Sequence, residues 1–195
     1  MSCDATVVAT FEPDTFDAIA APAVVTAAID RLHALEALWS RFRPTSEISQ
    51  VNSAPTVAHQ VSDDTIRLVD HLLHAWRATE GAFDPTLLGA IIHLGYDASR
   101  DEMGSISPVA PWTGLRGRPG SIVVDRVQRT VRLGTGTSID PGGLGKGLAA
   151  DIVGAEMIAG GATGALVEVG GDLRVRGRAP SGGGWPIDIT DRGHV

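Results

Sequence analysis

Cysteine is nearly absent. Cys3 stands alone among 195 residues, which excludes an internal disulfide and any metal–thiolate cluster. No apolar run reaches the roughly 18 residues of a membrane span, and the start lacks the basic segment of a signal peptide. Positive charge is in deficit: 16 Lys and Arg against 23 Asp and Glu leave a net charge of −7, which argues against a nucleic-acid partner. Internal repeats are missing, as is any flexible linker that would divide the chain. As given, the chain reads as soluble and cytoplasmic, with export or membrane anchoring of a longer precursor left open. What remains is 43% hydrophobic and 20% charged, a globular balance in a chain long enough for a real core. Glycine is plentiful, at 24 residues, so tight turns and close backbone approaches are expected.

The chain is organised around IDPGGLGKGLAAD, Ile139 to Asp151. Beyond its glycines, Leu144, Leu148, Ile152, Ala155 and Ile158 recur at helical spacing, which predicts a glycine-rich loop running into a helix. A helix N-terminus presents unpaired N–H groups and about half a positive charge. Lys146 in that first turn opposes the dipole, and a bound anion such as a phosphate would compensate it. The stretch is neither common nucleotide loop. Asp140 and Gly147 stand where a P-loop needs Gly and Ser or Thr, and the Gly143, Gly145, Gly147 spacing is not G-x-G-x-x-G. Glycines serving only as turn residues would give the same pattern.

Ala5 to Phe11 reads as a strand. Pro13 and Pro22 confine the first long helix to about Ala23–Arg41, with a core-facing stripe of Val25, Ile29, Leu32, Leu35, Leu38 and Trp39. His33 reads as solvated or partner-packed. In SRFRPTSEISQVN, Ser40 to Asn52, Pro44 forces an extended break and Ser46, Glu47, Ser49 and Asn52 suit a short capped helix. Arg41 and Arg43 read as a surface pair, although Phe42 between them could stack beside a phosphate. Ser62 caps a helix that buries Ile66, Val69, Leu72, Leu73 and Trp76, with Gly81 as its C′ stop. Asp84 and Pro85 read as the N-cap and N1 of a helix from Thr86 to Leu94. Asp101 to Gly120 reads as a surface loop, and Ser121–Asp125 with Thr130–Leu133 as a hairpin. Ala165–Val169 is a buried strand, followed by a glycine turn into Leu173–Arg176. Trp185–Thr190 reads as a further strand.

Four of these segments together resemble the ApbE family of flavin transferases, which move FMN from FAD onto a Thr or Ser of a target protein. SRFRPTSEISQVN resembles S-x-[FY]-R-P-x-S-x-[IL]-S-x-x-N, and GAFDPT resembles G-[AY]-F-D-P-T. IDPGGLGKGLAAD is similar to D-[LP]-G-G-[IL]-x-K-G-x-[AV]-x-D, and ALVEVGGDLRVRG is similar to the family's strand-GGD-strand segment. The resemblance implies an α+β fold with mixed sheets and flanking helices, here one ApbE-like domain over residues 1–195 that is incomplete at its C-terminal end. It implies that Phe42 lines the flavin site, with Met1 nearby at the family's M-G-T start. Leu94, Gly95 and Tyr96 match the W-G-[FY] turn that contacts FAD. Asp140 and Lys146 would touch FAD, Lys146 near its phosphates, and the Gly143 carbonyl would be a Mg²⁺ ligand. Phosphoryl transfer accords with this, since it needs a cation and a dipole to neutralise charge.

There are departures from the family pattern. Its T-S-G segment, its [HN]-H-[IL]-[IL]-D-P-x-T-G motif and the late Asp and Thr that complete the metal site are not in this sequence. Glu168 stands where Asn is usual, and Ser2 and Cys3 replace Gly-Thr. The expectation is therefore a Mg²⁺-dependent FAD:protein FMN transferase whose partners are FAD and a target carrying the acceptor hydroxyl, with this stretch alone inactive. The catalytic residue is unassigned. The alternative is a flavin- or nucleotide-binding module without transfer chemistry.

Overall fold

A computed structural model describes residues 4–12, 20–96 and 117–188. Strand β1 (Ala5–Thr10) runs antiparallel to β5 (Gly164–Val169), with Ala5 opposite Val169 and Thr10 opposite Gly164. Strand β6 (Asp172–Gly177) lies on the far side of β5, giving the order β1-β5-β6. Ala165, Val167 and Val169 alternate into the core, as period-2 geometry requires. The β5–β6 turn is only Gly170 and Gly171, at φ 54° and 93°. A two-residue hairpin of this hand demands positive φ at both positions, hence the pair of glycines. Farther along, Gly164 faces Gly177 across the ladder, and a Cβ on Gly177 would fall 2.1 Å from the Thr163 carbonyl oxygen.

Helix α1 (Ala20–Trp39) packs on β1, and α5 (Gly145–Ala159) covers β5 and β6 beside it. α1 begins ahead of the expected Ala23, with Pro22 inside its first turn, where a missing N–H costs nothing. Its most buried positions are Ala21, Ala28, Leu35 and Trp39, whereas Ile29 of the expected stripe is 42% exposed. Packing against α5 uses the small Ala28 and turns Ile29 to the rim of a cavity. α5 buries a wider face than one stripe, from Leu148 to Met157, because it meets the sheet and α1 at once; Ala155 is exposed.

Helix α2 (Glu47–Ser53) is capped by Ser46, which accepts from the Ser49 amide, and α3 (Asp63–Ala78) by Ser62, which accepts from Thr65. The Glu47 carboxylate receives both the amide and the hydroxyl of Ser62 at 2.8 Å, so one cap anchors the next helix. α3 ends one residue earlier than expected. Glu80, at φ 53°, takes the left-handed C′ position, and Gly81 at C″ closes the motif on the Trp76 carbonyl at 2.9 Å. Trp76 is half-buried rather than buried.

A second antiparallel sheet has the order β2-β4-β3, from β2 (His59–Gln60), β3 (Val123–Asp125) and β4 (Thr130–Arg132). The β3–β4 hairpin was expected; β2 is too short to show in the sequence. Pro119–Ser121 forms a 3₁₀ turn ahead of β3, and most of the expected 101–120 loop lies outside the described residues. Trp185–Asp188 is not a strand. Gly182 turns the chain back at φ 75°, Pro186 removes a ladder donor, and the Trp185 indole reaches the Gly177 carbonyl instead. Thr190 lies outside the described residues.

The architecture is thus α+β, with helices packed on antiparallel sheets. One contiguous core joins Trp39, Ile48, Leu68, Leu72, Leu133, Ile139, Ile152 and Val167. Among the described residues no helix is long and apolar enough to cross a membrane.

Candidate functional site

The loop that leads into α5 is held from three directions. Asn52, at the end of α2, uses both ends of its amide: Nδ2 donates to the Ile139 carbonyl and Oδ1 accepts from the Ile139 N–H, each at 2.8 Å. The Asp140 N–H donates to the Pro85 carbonyl at 2.8 Å. The Arg41 Nε lies 3.6 Å from Asp140 Oδ1, and the two side chains are only 13% and 11% exposed. Residues from SRFRPTSEISQVN and GAFDPT therefore meet on the first residues of IDPGGLGKG.

Asp140 is aimed by these contacts. Its Oδ1 accepts from the Gly142 N–H at 3.0 Å, which turns the chain so that Gly142 and Gly143 stand exposed. Gly143 is tightly packed, since a Cβ there would come within 3.2 Å of the Phe83 ring. The chain then enters α5 at Leu144, and among the described residues no side chain caps that helix. A side chain at Gly147 would meet no atom within 4 Å, so the first turn of α5 can be approached closely.

Arg41 joins the remaining parts. Its guanidinium carbon sits 4.2 Å from the centre of the Phe42 ring, and Nη2 donates to the Tyr96 carbonyl at 2.5 Å. Leu94, Gly95 and Tyr96 turn the chain out of helix α4 (Leu88–His93), with Gly95 at φ 92°. Leu94 is 50% and Tyr96 43% exposed, so this turn offers apolar surface beside the loop. Arg41 is thus no surface partner of Arg43. Arg43 alone is exposed, and it pairs with Glu36. Burial by itself would raise the Glu36 carboxyl; nearby positive charge, Arg43 included, holds it below its ordinary value.

Lys146 does not stand unpaired at the dipole. Its Nζ donates to the Gly170 carbonyl at 2.8 Å and lies 3.4 Å from the Asp172 carboxylate. The β5–β6 turn therefore supplies the compensation that the sequence assigned to a bound anion. Glu168, unusual for the pattern, accepts the Gly171 N–H and so closes the same turn. Asp84 likewise caps no helix. It forms an Asx turn, taking the N–H and hydroxyl of the buried Thr86, and α4 starts only at Leu88 because Pro85 and Thr86 are spent on that turn.

Met1 lies outside the described residues. Of the other expected site residues, the structure groups Phe42, Leu94–Tyr96, Asp140 and Gly143 around Arg41 and the loop, while Lys146 reaches the hairpin. Arg41, Asn52, Phe83 and Asp172 were not singled out as site residues from the sequence. Their roles depend on partners far along the chain, and nothing in local spacing signals them. A cavity of about 450 Å³ lies behind the loop, between Trp39, Pro141, Gly145 and Val169, with Asp4, His33 and Glu36 at its polar rim. His33 is exposed there.

The described residues supply only part of a donor set for a magnesium ion. Among the described residues no three His, Cys, Asp or Glu side chains gather where they could hold a metal. Asp140 is already engaged by Arg41 and Gly142, and the Gly143 carbonyl would be a single ligand for an ion that dehydrates reluctantly.

A family model described as the ApbE family matches residues 1–194. No relative was found among curated proteins. Among solved structures, the chain is similar to the ApbE protein of Thermotoga maritima, with TM-score 0.74 and 21% identity over 96% of this chain and 59% of that one. It is also similar to the flavinyl transferase ApbE of Pseudomonas stutzeri in its apo form, at TM-score 0.75 and 21% identity, covering 96% of this chain and 62% of that one. The flavin transferase ApbE of Vibrio cholerae gives TM-score 0.75 and 20% identity, over 96% of this chain and 64% of that one. At such identity the likeness is one of fold. The chain spans about three fifths of the length of these structures.

Proposed function

The chain belongs to the ApbE family, and on that premise we propose that it serves an FAD:protein FMN transferase. In the proposed reaction the hydroxyl oxygen of a target Thr or Ser attacks the FMN-side phosphorus of FAD. The bond to the AMP phosphate breaks, AMP leaves, and the hydroxyl gives up its proton. The observation that carries this reading is the meeting of separate motifs on Asp140 at the approach to α5.

Each part has a role in this reaction. Phe42 and the Leu94–Tyr96 turn offer the apolar and aromatic surface that a flavin ring needs. The first turn of α5 offers N–H groups and the positive end of a dipole for the pyrophosphate. Lys146 is near enough to that turn to trade its contact with Asp172 for a phosphate oxygen. Magnesium enters through the family resemblance, and it would require donors beyond the Gly143 carbonyl. A net charge of −7 argues against a nucleic-acid partner.

Titrating FAD against the chain by flavin fluorescence, with riboflavin for comparison, tests the binding half. Tighter binding of FAD is expected, and equal affinities would remove the pyrophosphate site. Incubation with FAD, magnesium and a flavinylatable target, read by in-gel fluorescence, tests transfer. A labelled target would show that this stretch suffices for transfer; FAD binding without a label is the outcome expected of this stretch alone, for a transferase and for a flavin- or nucleotide-binding module alike.

A further inference from the structure

Arg41 touches three separate parts of the site with one side chain. Its Nε faces Asp140, Nη2 donates to the Tyr96 carbonyl, and its plane lies over Phe42. Its own backbone is fixed too, because the Ser49 hydroxyl donates to the Arg41 carbonyl at 3.3 Å. We infer that Arg41 is a positioning residue: it sets the separation between the Asp140 loop and the Leu94–Tyr96 turn, the two segments assigned to FAD above. For the ligand, this rests on the FAD reading above; for the geometry, it stands on the contacts alone.

The physical argument is one of shape as well as charge. A guanidinium carries donors in a rigid planar fork, so it can serve a carboxylate and a carbonyl at once while its face covers a ring. A lysine ammonium is a point charge on a flexible stem. It could neutralise Asp140 but could not also hold the Tyr96 carbonyl and stack on Phe42. The pair is almost dry, so losing it would leave the Asp140 charge poorly compensated and free the carboxylate to swing. The loop beyond depends on that carboxylate through the Gly142 N–H. Arg43, two residues on and 51% exposed, makes a built-in control.

The test uses Arg41→Lys, which keeps the charge and so guards against simple unfolding, and Arg43→Lys beside it. Hydrogen exchange without ligand is followed at 94–96 and 142–145, where amides are bonded within their own turns. Arg41→Lys is expected to speed exchange in both segments by about tenfold, the order of one charge-assisted hydrogen bond lost, with α3 unchanged. FAD affinity is expected to fall by a similar factor, and Arg43→Lys to alter neither. Unchanged exchange in both segments overturns the inference. Faster exchange with undiminished FAD affinity overturns its claim on the ligand. Should the unaltered chain not bind FAD, the functional reading falls, and exchange alone still decides whether Arg41 positions the two segments.

Discussion

Asn52 completes the hydrogen bonding of Ile139, 87 positions away, with one amide side chain: its oxygen takes the N–H and its nitrogen serves the carbonyl. Ile139 is fully buried, so neither group has water as a substitute. The pairing places Asp140 one residue beyond a fixed point.

Replacing Asn52 with Ala should therefore strand both groups. A loss of about 2–6 kcal/mol is expected, since each unsatisfied buried group costs roughly 1–3 kcal/mol. Urea denaturation reads it as a lower midpoint at unchanged slope. An unmoved midpoint would mean that the two bonds do not hold the loop.

Gly171 and Gly177 both have positive φ, at 93° and 62°, yet they differ in surroundings. A Cβ on Gly171 would meet nothing within 4 Å, while one on Gly177 would collide with the Thr163 carbonyl. Gly171→Ala should cost about 1–2 kcal/mol from backbone strain alone. Gly177→Ala adds overpacking and should cost roughly 2–5 kcal/mol. Thermal melts of the two variants side by side decide this, and equal shifts would contradict it.

Lys146→Ala should weaken FAD binding with little change in stability. Its ion pair with Asp172 is half in solvent, and such pairs contribute about 0–1 kcal/mol. A charge-assisted phosphate contact is worth roughly 1.5–3 kcal/mol, so affinity should fall about tenfold or more. Asp172→Asn, which releases the ammonium, should not weaken FAD binding. Fluorescence titration of both variants checks the pair, and a Lys146→Ala protein that binds FAD as before would remove Lys146 from the site.

Arg31 ties three helices, taking Asp64 at 2.7 Å through both nitrogens of its fork and Glu156 at 3.1 Å through Nε. These carboxylates hold its guanidinium more firmly protonated than usual, chiefly through the Asp64 hydrogen bonds. Arg31→Lys keeps the charge and loses the fork, with an expected cost of about 1 kcal/mol at this partly exposed site. The cost should shrink in about 1 M salt, where screening acts within a few ångströms. A salt-independent difference in melting temperature would assign the effect to packing.

Much of the local structure was legible in the sequence. Ser46 and Ser62 cap the helices expected of them, the β3–β4 hairpin forms, and Gly170 and Gly171 turn where two glycines stand together. In each case the deciding atoms lie within a few residues, so side-chain chemistry acts before the chain is folded. Asp84 shows the limit of that reasoning. Its side chain could cap a helix or close an Asx turn, and burial of Thr86 decided for the turn.

What the sequence determined by itself is the local elements and motifs around the candidate site: the glycine loop, α5 and the strand-turn-strand after it. Only the tertiary structure decided how they are joined. Arg41 meets Tyr96 across 55 positions and Lys146 meets Gly170 across 24, and neither pairing follows from residue type, because each cation had nearer acceptors to choose from. Packing of α5 on β5 and β6 brings Lys146 to Gly170, and the buried setting of Arg41 and Asp140 leaves them little water. In that setting an unpaired charge is expensive, so partners are fixed by what burial places within reach rather than by spacing along the chain.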